Sequence, residues 1–479
     1  MSFDLTTLGA FAKVQGGYAY KSQDFSKAGN CPVLKIKNIR FGYVDYSETA
    51  YINDELADET TDWRTTEGDI LISMTGSGPN APKSLVGRTA RVWKNDPTSW
   101  INQRVGKIVI KDEKSIHLDY IFYLLTTPQS QEFLVSNSSG SANQANISGK
   151  TIEALPCPNV SFKESERIAK ILRDIDEKII SNRQINQTLE EMAQAIFKSW
   201  FVDFDPTRAK VAALGSGGSA EDAERAAMRA ISGKSDEELS EFKAASPDAF
   251  NTIKSTAALF PATLQDSELG EIPVGWLPSD LKSYTTELRR GISPKYTREN
   301  GVRVINQKCI RNHTIDFTLT RRNDPSKRKI EGREIEVGDV LVNSTGVGTL
   351  GRLSPVRNLD EITVVDSHVT VVRADSLKIS KSFLAGLMIE NEPYIEASGA
   401  GSTGQTELRK QILEDIHFVC PTHDIDRKFD AQVEKINSLI AILEAQSLSL
   451  AETRDTLLPK LLSGEMDLSN IAATDEEVA

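Results

Sequence analysis

The stretch "ERIAKILRDIDEKIISNRQINQTLEEMAQAIFKSWF", residues 166–201, predicts one uninterrupted helix. At about 1.5 Å per residue the helix is roughly 50 Å long, more than a compact domain needs to cross its own core. Its apolar residues follow a sevenfold spacing, made up of Ile168, Ile175, Leu189 and Ile196, with Leu172, Ile179 and Ala193 four residues further on. Asn182 and Asn186 lie inside this stripe, where a buried asparagine fixes the register of a coiled coil at some cost in stability.

A second stretch with the same spacing lies near the other end of the sequence. Its heptad positions are Phe429, Ile436, Leu443, Leu450 and Leu457, joined by Val433 and Ile440. Heptads sustained over about four repeats favour a coiled coil, so we expect the two helices to pair in antiparallel orientation. In the alternative interpretation each helix covers its own domain. That alternative explains the spacing poorly, because helices on globular cores follow a period of about 3.6 residues.

The rest of the sequence repeats itself once. The matching blocks are "GDILISMTG" (68–76) with "GDVLVNSTG" (338–346), "VGRTARV" (86–92) with "LGRLSPV" (350–356), "INQRV" (101–105) with "VDSHV" (365–369), and "GSANQANISGKTIEALPCP" (140–158) with "GSTGQTELRKQILEDIHFVCP" (401–421). In both halves, short β-branched runs between turns indicate a sheet, and longer apolar patterns before the glycine-rich stretches indicate helices. The sequence therefore predicts the same domain twice.

The predicted fold class is α+β, with two similar domains separated by an antiparallel two-helix coiled coil and related by pseudo-twofold symmetry. The predicted boundaries are 1–160 for the first domain, 163–201 for the first long helix, 202–275 for a Gly/Ser and acidic linker, 276–423 for the second domain, 425–463 for the second long helix and 464–479 for an acidic tail. Within the linker, "LGSGGS" indicates a flexible stretch, followed by acidic, helix-prone sequence.

The net charge of −12 conceals local asymmetry. Residues 281–334 carry fourteen Lys and Arg against six acids, whereas residues 220–280 carry twelve acids against five bases. Whole-chain charge therefore does not exclude a polyanionic partner. No run of about 18 apolar residues predicts a membrane span, and the start lacks the pattern of a secretory signal, so we expect a cytoplasmic protein without membrane association.

No motif predicts catalysis or metal binding. "SGKSDEE" at Ser232 lacks the first glycine of a phosphate loop, and "GSGPN" at Gly76 lacks the rest of a dinucleotide fingerprint. The histidines form no local group, and the cysteines Cys31, Cys157, Cys309 and Cys420 lie far apart without a CxxC pair. We therefore expect reduced, structural cysteines, no catalytic residue and no metal site.

Basic and amide side chains instead occur in the loops of both halves, often at repeated positions. Arg and Lys neutralise phosphates, Arg reads guanine, and Asn or Gln reads adenine in the major groove. Their recurrence favours a nucleic-acid contact over solvated surface roles. The candidate residues are Arg88, Arg91, Asn102, Gln103, Arg104, Asn143, Gln144, Lys150, Arg289, Arg290, Lys308, Arg311, Arg321, Arg322, Asn343, Arg352, Ser367, His368, Gln405 and Arg409. The glycine-rich stretches that precede helices could hold a phosphate on backbone amides, or could be plain capped loops.

The chain resembles the specificity subunits of type I restriction-modification systems. The resemblance covers nearly the whole chain and is carried by the helix at 166–201 continuing into "FVDFDPTRAK", by "DSELGEIPVGW", and by "LLPKLLSGEMDL". It implies that the two domains are target-recognition domains, each binding one half of a bipartite sequence in double-stranded DNA, with an unspecified spacer. It also implies two DNA-adenine methyltransferase subunits and ATP-dependent restriction subunits as partners. S-adenosylmethionine, ATP and Mg²⁺ are then expected only in those partners, and no cofactor in this chain.

Two other functions stay open at this point. A coiled-coil scaffold or adaptor without DNA binding would share the long helices and two domains, but its DNA affinity would lack the steep salt dependence of phosphate contacts. An enzyme in its own right would bind S-adenosylmethionine or ATP without partners. The resemblance and the missing motifs favour the non-catalytic DNA-recognition subunit.

Overall fold

The computed structural model describes residues 3–77, 86–141, 144–298, 300–346, 348–398, 407–466 and 468. The chain divides into two compact units. The first unit contains Met1–Ser181 and Gln446–Ala479, and the second contains Asn182–Ala445.

The first unit contains short strands and helices, followed by a long helix that continues into the second unit. The elements are β1 (Leu5–Thr7), α1 (Leu8–Phe11), β2 (Ala12–Gly16), β3 (Cys31–Leu34), β4 (Gly42–Tyr43), β5 (Ala50–Ile52), α2 (Asp54–Glu59), β6 (Ile70–Ser73), β7 (Thr75–Gly76), β8 (Thr89–Arg91), β9 (Trp100–Ile101), β10 (Val105–Ile110), α3 (Leu118–Thr126), α4 (Pro128–Ser136), β11 (Ser139–Ser141), β12 (Gln144–Asn146), α5 (Gly149–Glu153), β13 (Pro156–Pro158) and α6 (Phe162–Phe201).

The main sheet of the first unit has the strand order β2-β10-β6-β8-β4. Its central strand β6 has the sequence Ile-Leu-Ile-Ser and is buried at every position, because both faces of the sheet are covered. Helix α3 packs on one face through a nearly continuous apolar sequence, "LDYIFYLLT". A smaller sheet places β3 between β5 and β9, and the β3–β9 pairing is parallel.

After the end of α6, the second unit has four helices and a hairpin and then repeats the strand pattern. The elements are α7 (Asp205–Gly215), α8 (Ala220–Ser232), α9 (Asp236–Ala245), α10 (Pro247–Leu259), β14 (Leu264–Ser267), β15 (Gly270–Pro273), β16 (Leu277–Asp280), β17 (Thr285–Arg290), β18 (Tyr296–Thr297), β19 (Val302–Ile305), β20 (Ile310–Arg311), β21 (Thr314–Ile315), β22 (Arg321–Asn323), β23 (Val340–Asn343), β24 (Leu353–Pro355), β25 (Thr363–Val365), β26 (Val369–Ala374), α11 (Lys381–Glu390), α12 (Glu392–Ser398), α13 (Lys410–Glu414), β27 (His417–Cys420) and α14 (His423–Ser463).

The strand order β17-β26-β23-β24 in the second unit repeats β2-β10-β6-β8 of the first. The parallel pair β19–β25 likewise repeats β3–β9. Both units also bring a glycine into close contact with a backbone carbonyl at equivalent positions. A Cβ on Gly17 would collide with the carbonyl of Asn102, and a Cβ on Gly291 would collide with the carbonyl of Val365. Only glycine fits these two crossings. The predicted α+β duplication is confirmed.

The heptad stripe is also confirmed, within each unit separately. In the second unit the Phe197 and Phe429 rings lie 5.9 Å apart, and the Asn186 side chain donates to the carbonyl of Ile440 at 3.5 Å. Residue numbers therefore rise along α6 as they fall along α14, which makes the pair antiparallel. Asn182 is fully buried in the same stripe, as expected for an asparagine in the seam.

In the first unit the same two helices contribute to one core. Asp176 of α6 pairs with Arg454 of α14 at 2.6 Å and accepts a hydrogen bond from the Tyr123 hydroxyl at 2.9 Å. Leu172 and Leu461 are buried in the apolar cluster that contains α3. The helices are thus part of the domain cores as well as of a coiled-coil seam.

The predicted linker is folded. The Gly/Ser stretch forms the turn between α7 and α8, with Gly217 at a φ of 83° and Ser219 capping α8 through the amide of Asp222. A small apolar cluster that includes Met228 and Leu239 joins the helices. The sequence signals for flexibility thus mark a helix-to-helix turn, because glycine there supplies a left-handed conformation.

Among the described residues, no helix combines the length and apolarity needed to cross a membrane.

Candidate nucleic-acid interface

A two-residue turn projects from the first unit between β9 and β10. Gln103 and Arg104 form this turn, and both side chains are exposed. The turn is fixed from beneath, since the amide of Gln103 donates to Oδ1 of Asn102 at 2.9 Å and the amide of Val105 donates to the Asn102 carbonyl at 2.7 Å. Met74 donates its amide to the carbonyl of Arg104 at 2.9 Å. A rigid base therefore presents two solvent-facing polar side chains.

The second unit builds the same turn between β25 and β26 from Ser367 and His368. Asp366 takes the place of Asn102, and its Oδ1 accepts from the amide of His368 at 2.9 Å. Ser344 donates its amide to the carbonyl of His368 at 2.8 Å, as Met74 does in the first unit. His368 is exposed and Ser367 is partly exposed. The scaffold is duplicated while the side chains at its tip differ.

A second loop borders each turn. In the first unit the amide of Ile147 donates to the carbonyl of Met74 at 3.0 Å, and in the second the amide of Leu408 donates to the carbonyl of Ser344 at 2.8 Å. We define the turn edge of the first unit as residues 74–76, 102–104 and 144–147, and that of the second unit as residues 344–346, 366–368 and 407–408. Each turn edge thus contains residues from three of the repeated sequence blocks.

Arg88 does not contribute to this surface, which corrects the prediction. Its side chain is buried, and its guanidinium donates to the carbonyl of Ile36 at 2.7 Å. Burial and the nearby charge of Arg40 lower its pKa. Its backbone amide donates to Ser73 Oγ at 2.9 Å. Arg88 therefore links the segment at Ile36 to the strand that carries Ser73.

The positions equivalent to Ser73 and Arg88 have different contacts in the second unit. Asn343 takes the place of Ser73, is fully buried, and donates to the carbonyl of Gln307 at 3.0 Å. Asn343 is therefore structural, which also corrects the prediction. Arg352, the counterpart of Arg88, is partly exposed, and its guanidinium has no hydrogen-bond partner among the described residues. Arg352 remains a candidate contact residue.

Arg91 is a buried structural residue as well. Its guanidinium donates to Asp119 at 2.7 Å and lies over the Trp93 ring, 4.5 Å from the centroid. Arg173 of α6 reaches the other oxygen of Asp119 at 3.0 Å. Only 7% of Arg91 is exposed, so little of its side chain is accessible to a partner in this conformation.

Three arginines of the second unit are already paired. Arg289 bonds Glu287 and the carbonyl of Gly332, Arg290 bonds Glu407 at 2.6 Å and the carbonyl of Leu408 at 3.0 Å, and Arg322 bonds Glu361 at 2.5 Å. These ion pairs neutralise the charges that the sequence assigned to phosphate contact. Arg289 and Arg322 therefore stabilise the sheets, and Arg290 anchors the turn edge rather than extending from it.

The other candidates fall into three groups. The exposed ones are Gln103, Arg104, Gln144, Lys150, Lys308, Arg311, Arg321, His368 and Arg409. Asn102, Arg352 and Ser367 are partly exposed. Asn143 and Gln405 lie outside the described residues.

Arg321 lies near Asp366 of the turn edge in the second unit. Its guanidinium lies 3.3 Å from the centroid of the Tyr296 ring. Burial raises the pKa of the Asp366 carboxyl beneath the turn, while the His368 amide and the Arg321 charge oppose that rise. His368 Nδ1 lies 2.7 Å from the hydroxyl of Thr345. The imidazole is therefore held at one nitrogen.

A fifth repeated block becomes evident from the structure. "KNIRFGYVDYS" (37–47) matches "KCIRNHTIDFT" (308–318) at a constant offset of 271 residues. Both form small hairpins, with Ile39 paired to Val44 and Ile310 paired to Ile315. The match adds Lys37 and Arg40 to the candidate set, as counterparts of Lys308 and Arg311. Only lysine, isoleucine, arginine and aspartate recur identically, so the repeat is visible mainly through its fixed offset.

Each hairpin carries a lysine and an arginine at equivalent positions. Lys37 lies 3.2 Å from Glu48, and Arg40 lies 3.2 Å from Asp45, so both are partly neutralised in the first unit. Lys308 and Arg311 are exposed in the second unit. Across the described ranges, no group of three or more His, Cys, Asp or Glu side chains could hold a metal ion.

Comparison with known proteins places this fold in a family. Residues 3–191 match the model of the type I restriction modification DNA specificity domain. The chain is 31% identical over 423 residues to the type I restriction enzyme HindI specificity subunit of Haemophilus influenzae, covering 84% of this chain and 87% of that one. The MjaVIII specificity subunit of Methanocaldococcus jannaschii is 23% identical over 466 residues, covering 94% and 92%. A crystal structure of the type I restriction-modification S subunit from M. genitalium covers 98% of this chain and 97% of its own at 13% identity and a TM-score of 0.48. The chain belongs to the family of type I restriction enzyme specificity subunits.

Proposed function

We propose that this chain selects the DNA sequence for a type I restriction-modification complex in the cytoplasm. Each unit reads one half of a bipartite target in double-stranded DNA through its turn edge. The paired helices set the spacer and dock two DNA-adenine methyltransferase subunits, and restriction subunits join the complex through them. The chain itself is non-catalytic, and S-adenosylmethionine, ATP and Mg²⁺ act in the partners.

One observation carries this proposal. The same turn on the same sheet occurs twice, and the residues that hold it are equivalent, whereas the exposed tip is Gln103–Arg104 in one unit and Ser367–His368 in the other. A constant scaffold with different polar tips is what two modules need in order to read two different half-sites. A protein-binding scaffold would give no reason for small, polar, rigidly based tips at matching positions.

The chemistry of the tips fits base readout in the major groove. Arg104 can donate two hydrogen bonds to guanine, and Gln103 can bond both edge groups of adenine. In the second unit, Ser367 can donate or accept, and the Nε2 atom of His368 is available because Nδ1 faces Thr345. The exposed Lys308 and Arg311 on the hairpin of the second unit are suited to phosphates, which position a protein without specifying sequence.

The helices support the docking part of the proposal. In the second unit, Leu439 and Ile442 of α14 are 42% and 63% exposed, and Met192 of α6 is 51% exposed. Large apolar side chains on the outer faces of a helix pair are typical of surfaces that partners cover. The seam itself uses Asn182 and Asn186, so these outer residues are not needed for pairing.

The turn tips can be tested individually once sequencing of methylated adenines has defined the target. We expect Arg104→Ala to weaken binding of the full target by roughly 10- to 100-fold, the range for one lost bidentate base contact, and to relax specificity at one base pair of one half-site. His368→Ala should relax the other half-site. Arg183→Ala, an exposed arginine of α6, is the matched control and should change neither. Affinity is measured by fluorescence anisotropy on single-substitution DNA panels.

In the same assay, the salt dependence of DNA affinity distinguishes a DNA-recognition subunit from a protein scaffold. Phosphate contacts release counterions, so affinity should fall steeply between about 50 and 200 mM salt. DNA binding that is absent, or indifferent to salt and to both tip substitutions, would contradict the proposed function and favour a protein scaffold.

A further inference from the structure

The hairpin of the second unit turns through two residues with unusual backbone conformations. Asn312 and His313 both have positive φ, at 49° and 54°. At the equivalent turn of the first unit the second residue is Gly42, with a φ of 91°. Glycine adopts this conformation readily, whereas histidine there is strained and persists only where its surroundings hold it. The contacts of His313 should therefore explain its presence.

His313 is held by carboxylates on two helices. Its Nε2 atom lies 2.6 Å from Glu392 of α12, and its Nδ1 atom lies 3.8 Å from Glu190 of α6. Its backbone carbonyl accepts hydrogen bonds from the Ser354 hydroxyl at 2.8 Å and from the Arg357 guanidinium at 2.7 Å. Both the side chain and the backbone of the turn residue are therefore fixed.

Arg357 extends the same contacts to the second long helix. Its side chain is 6% exposed, donates to Glu190 at 2.8 Å and lies 3.8 Å from Glu444 of α14. Burial raises the pKa of the Glu444 carboxyl. We call His313, Arg357, Glu190, Glu392 and Glu444 the ionic cluster. It joins the hairpin to both members of the helix pair within the second unit.

The first unit shows that the hairpin does not need these charges in order to fold. Trp93 takes the place of Arg357, and its Nε1 donates to the carbonyl of Gly42 at 2.9 Å, as Arg357 does to His313. Beyond that bond, Trp93 packs edge-on against Phe122 in an apolar core. Replacing an apolar contact by partly buried charges seldom adds stability, so the ionic cluster calls for another role.

We propose that His313 and Arg357 are positioning residues, which hold the hairpin 308–318 and its cations Lys308 and Arg311 against α6 and α14, so that phosphate contact by this hairpin depends on the helix pair. This inference rests on the proposed function for its DNA part. Binding to the second half-site should therefore depend on the ionic cluster. Binding to the first half-site should not, because the hairpin of the first unit packs on Trp93.

The contacts of His313 with Glu190 and Glu392, which we call the tether, depend on pH. Glu190 and Glu392 raise the pKa of His313 to about 9, above its ordinary value of 6.5, against the effect of its burial. The charged groups around it are Glu190 from α6, Glu392 from α12, Glu444 from α14 and Arg357 from the loop after β24. Because the folded pKa is the higher one, the stabilisation from the protonated imidazole is fully present at about pH 6.5 and is lost as the pH rises through about 9.

Hydrogen exchange on the full chain tests the tether without DNA. His313→Asn removes the charge and keeps a residue that tolerates the left-handed conformation. We expect the amides of residues 310–316 to lose about tenfold in protection, while those of residues 39–45 stay unchanged. Raising the pH from 7 to 10 should have the same effect in the wild type, after correction for intrinsic exchange, and none in the variant. His417→Asn, at an exposed histidine of the same unit, is the matched control and should leave both sets of amides unchanged. Unchanged protection of residues 310–316 in His313→Asn would overturn the proposal.

DNA affinity tests the positioning role. His313→Asn should weaken binding of the full target about tenfold and leave binding unchanged on DNA whose second half-site is scrambled. Arg357→Lys, which keeps a cation, should recover part of the loss from Arg357→Gln. Lost hairpin protection with unchanged affinity for the second half-site would overturn the positioning role. Failure of the wild-type chain to bind DNA at all would contradict the proposed function instead, and exchange alone would then decide the tether.

Discussion

Inserting one heptad into each long helix, after Asn182 in α6 and after Leu443 in α14, should abolish specific binding to the natural target. Each insertion adds about 10 Å of helix while keeping the apolar seam in register. In our proposal this lengthens the separation of the reading edges by about three base pairs. On DNA, three base pairs also rotate one half-site by roughly a third of a turn about the duplex. We expect affinity for the natural target to fall at least about a hundredfold, since only one half-site can then be read.

The measurement uses a panel of DNAs that differ only in spacer length. Binding should either move to a longer spacer or disappear from the whole panel. Inserting one heptad at Gly217, in the turn between α7 and α8, lengthens the chain without touching the long helices and should leave the spacer unchanged. Full affinity for the original spacing in the helix variant would show that the helices do not set the spacer.

The largest effect on stability is expected from Asp119→Ala. Asp119 is 3% exposed and neutralises Arg91 at 2.7 Å and Arg173 at 3.0 Å. Its removal leaves the Arg91 charge buried without a partner, which costs about 3–5 kcal/mol in other proteins. We expect a loss of that order in the free energy of unfolding of the first unit, measured by hydrogen exchange of the slowest amides of β10.

An exposed ion pair on α6 provides the control. Asp174 lies 3.4 Å from Lys170, and both side chains are more than half exposed. Asp174→Ala should cost no more than about 0.5 kcal/mol, because water already solvates both charges. A loss below about 1 kcal/mol for Asp119→Ala would show that Arg91 rearranges to reach solvent, and would return Arg91 to the set of candidate contacts.

Periodicity in the sequence predicted the architecture well because it is a local signal. The heptads place Asn182 and Asn186 in the seam without knowledge of any other residue, and the repeated blocks each correspond to strands of matching order. The repeat of the hairpins, at a constant offset of 271 residues, is also present in the sequence. It is hard to recognise there, because the tips Phe41–Gly42 and Asn312–His313 differ. The folding of the linker was obscured because glycine marks turns as well as flexible stretches.

The candidate site was predicted less well, because an arginine does not reveal its counter-ion. Arg91 lies in a repeated block, but Asp119, which buries it, is distant in sequence. Arg88 and Arg352 occupy the same repeated position, yet one is structural and the other partly exposed. The carbonyl of Ile36, which holds the Arg88 guanidinium, is likewise distant in sequence.

The most direct test of the account exchanges residues 1–155 for the equivalent domain of a family member with a different target. The hybrid is produced with its methyltransferase partners, and the methylated adenines are sequenced. We expect one half of the methylated sequence to change to that of the donor, while the other half stays as before. If both halves change together, or neither changes, the two units do not each read one half of the target.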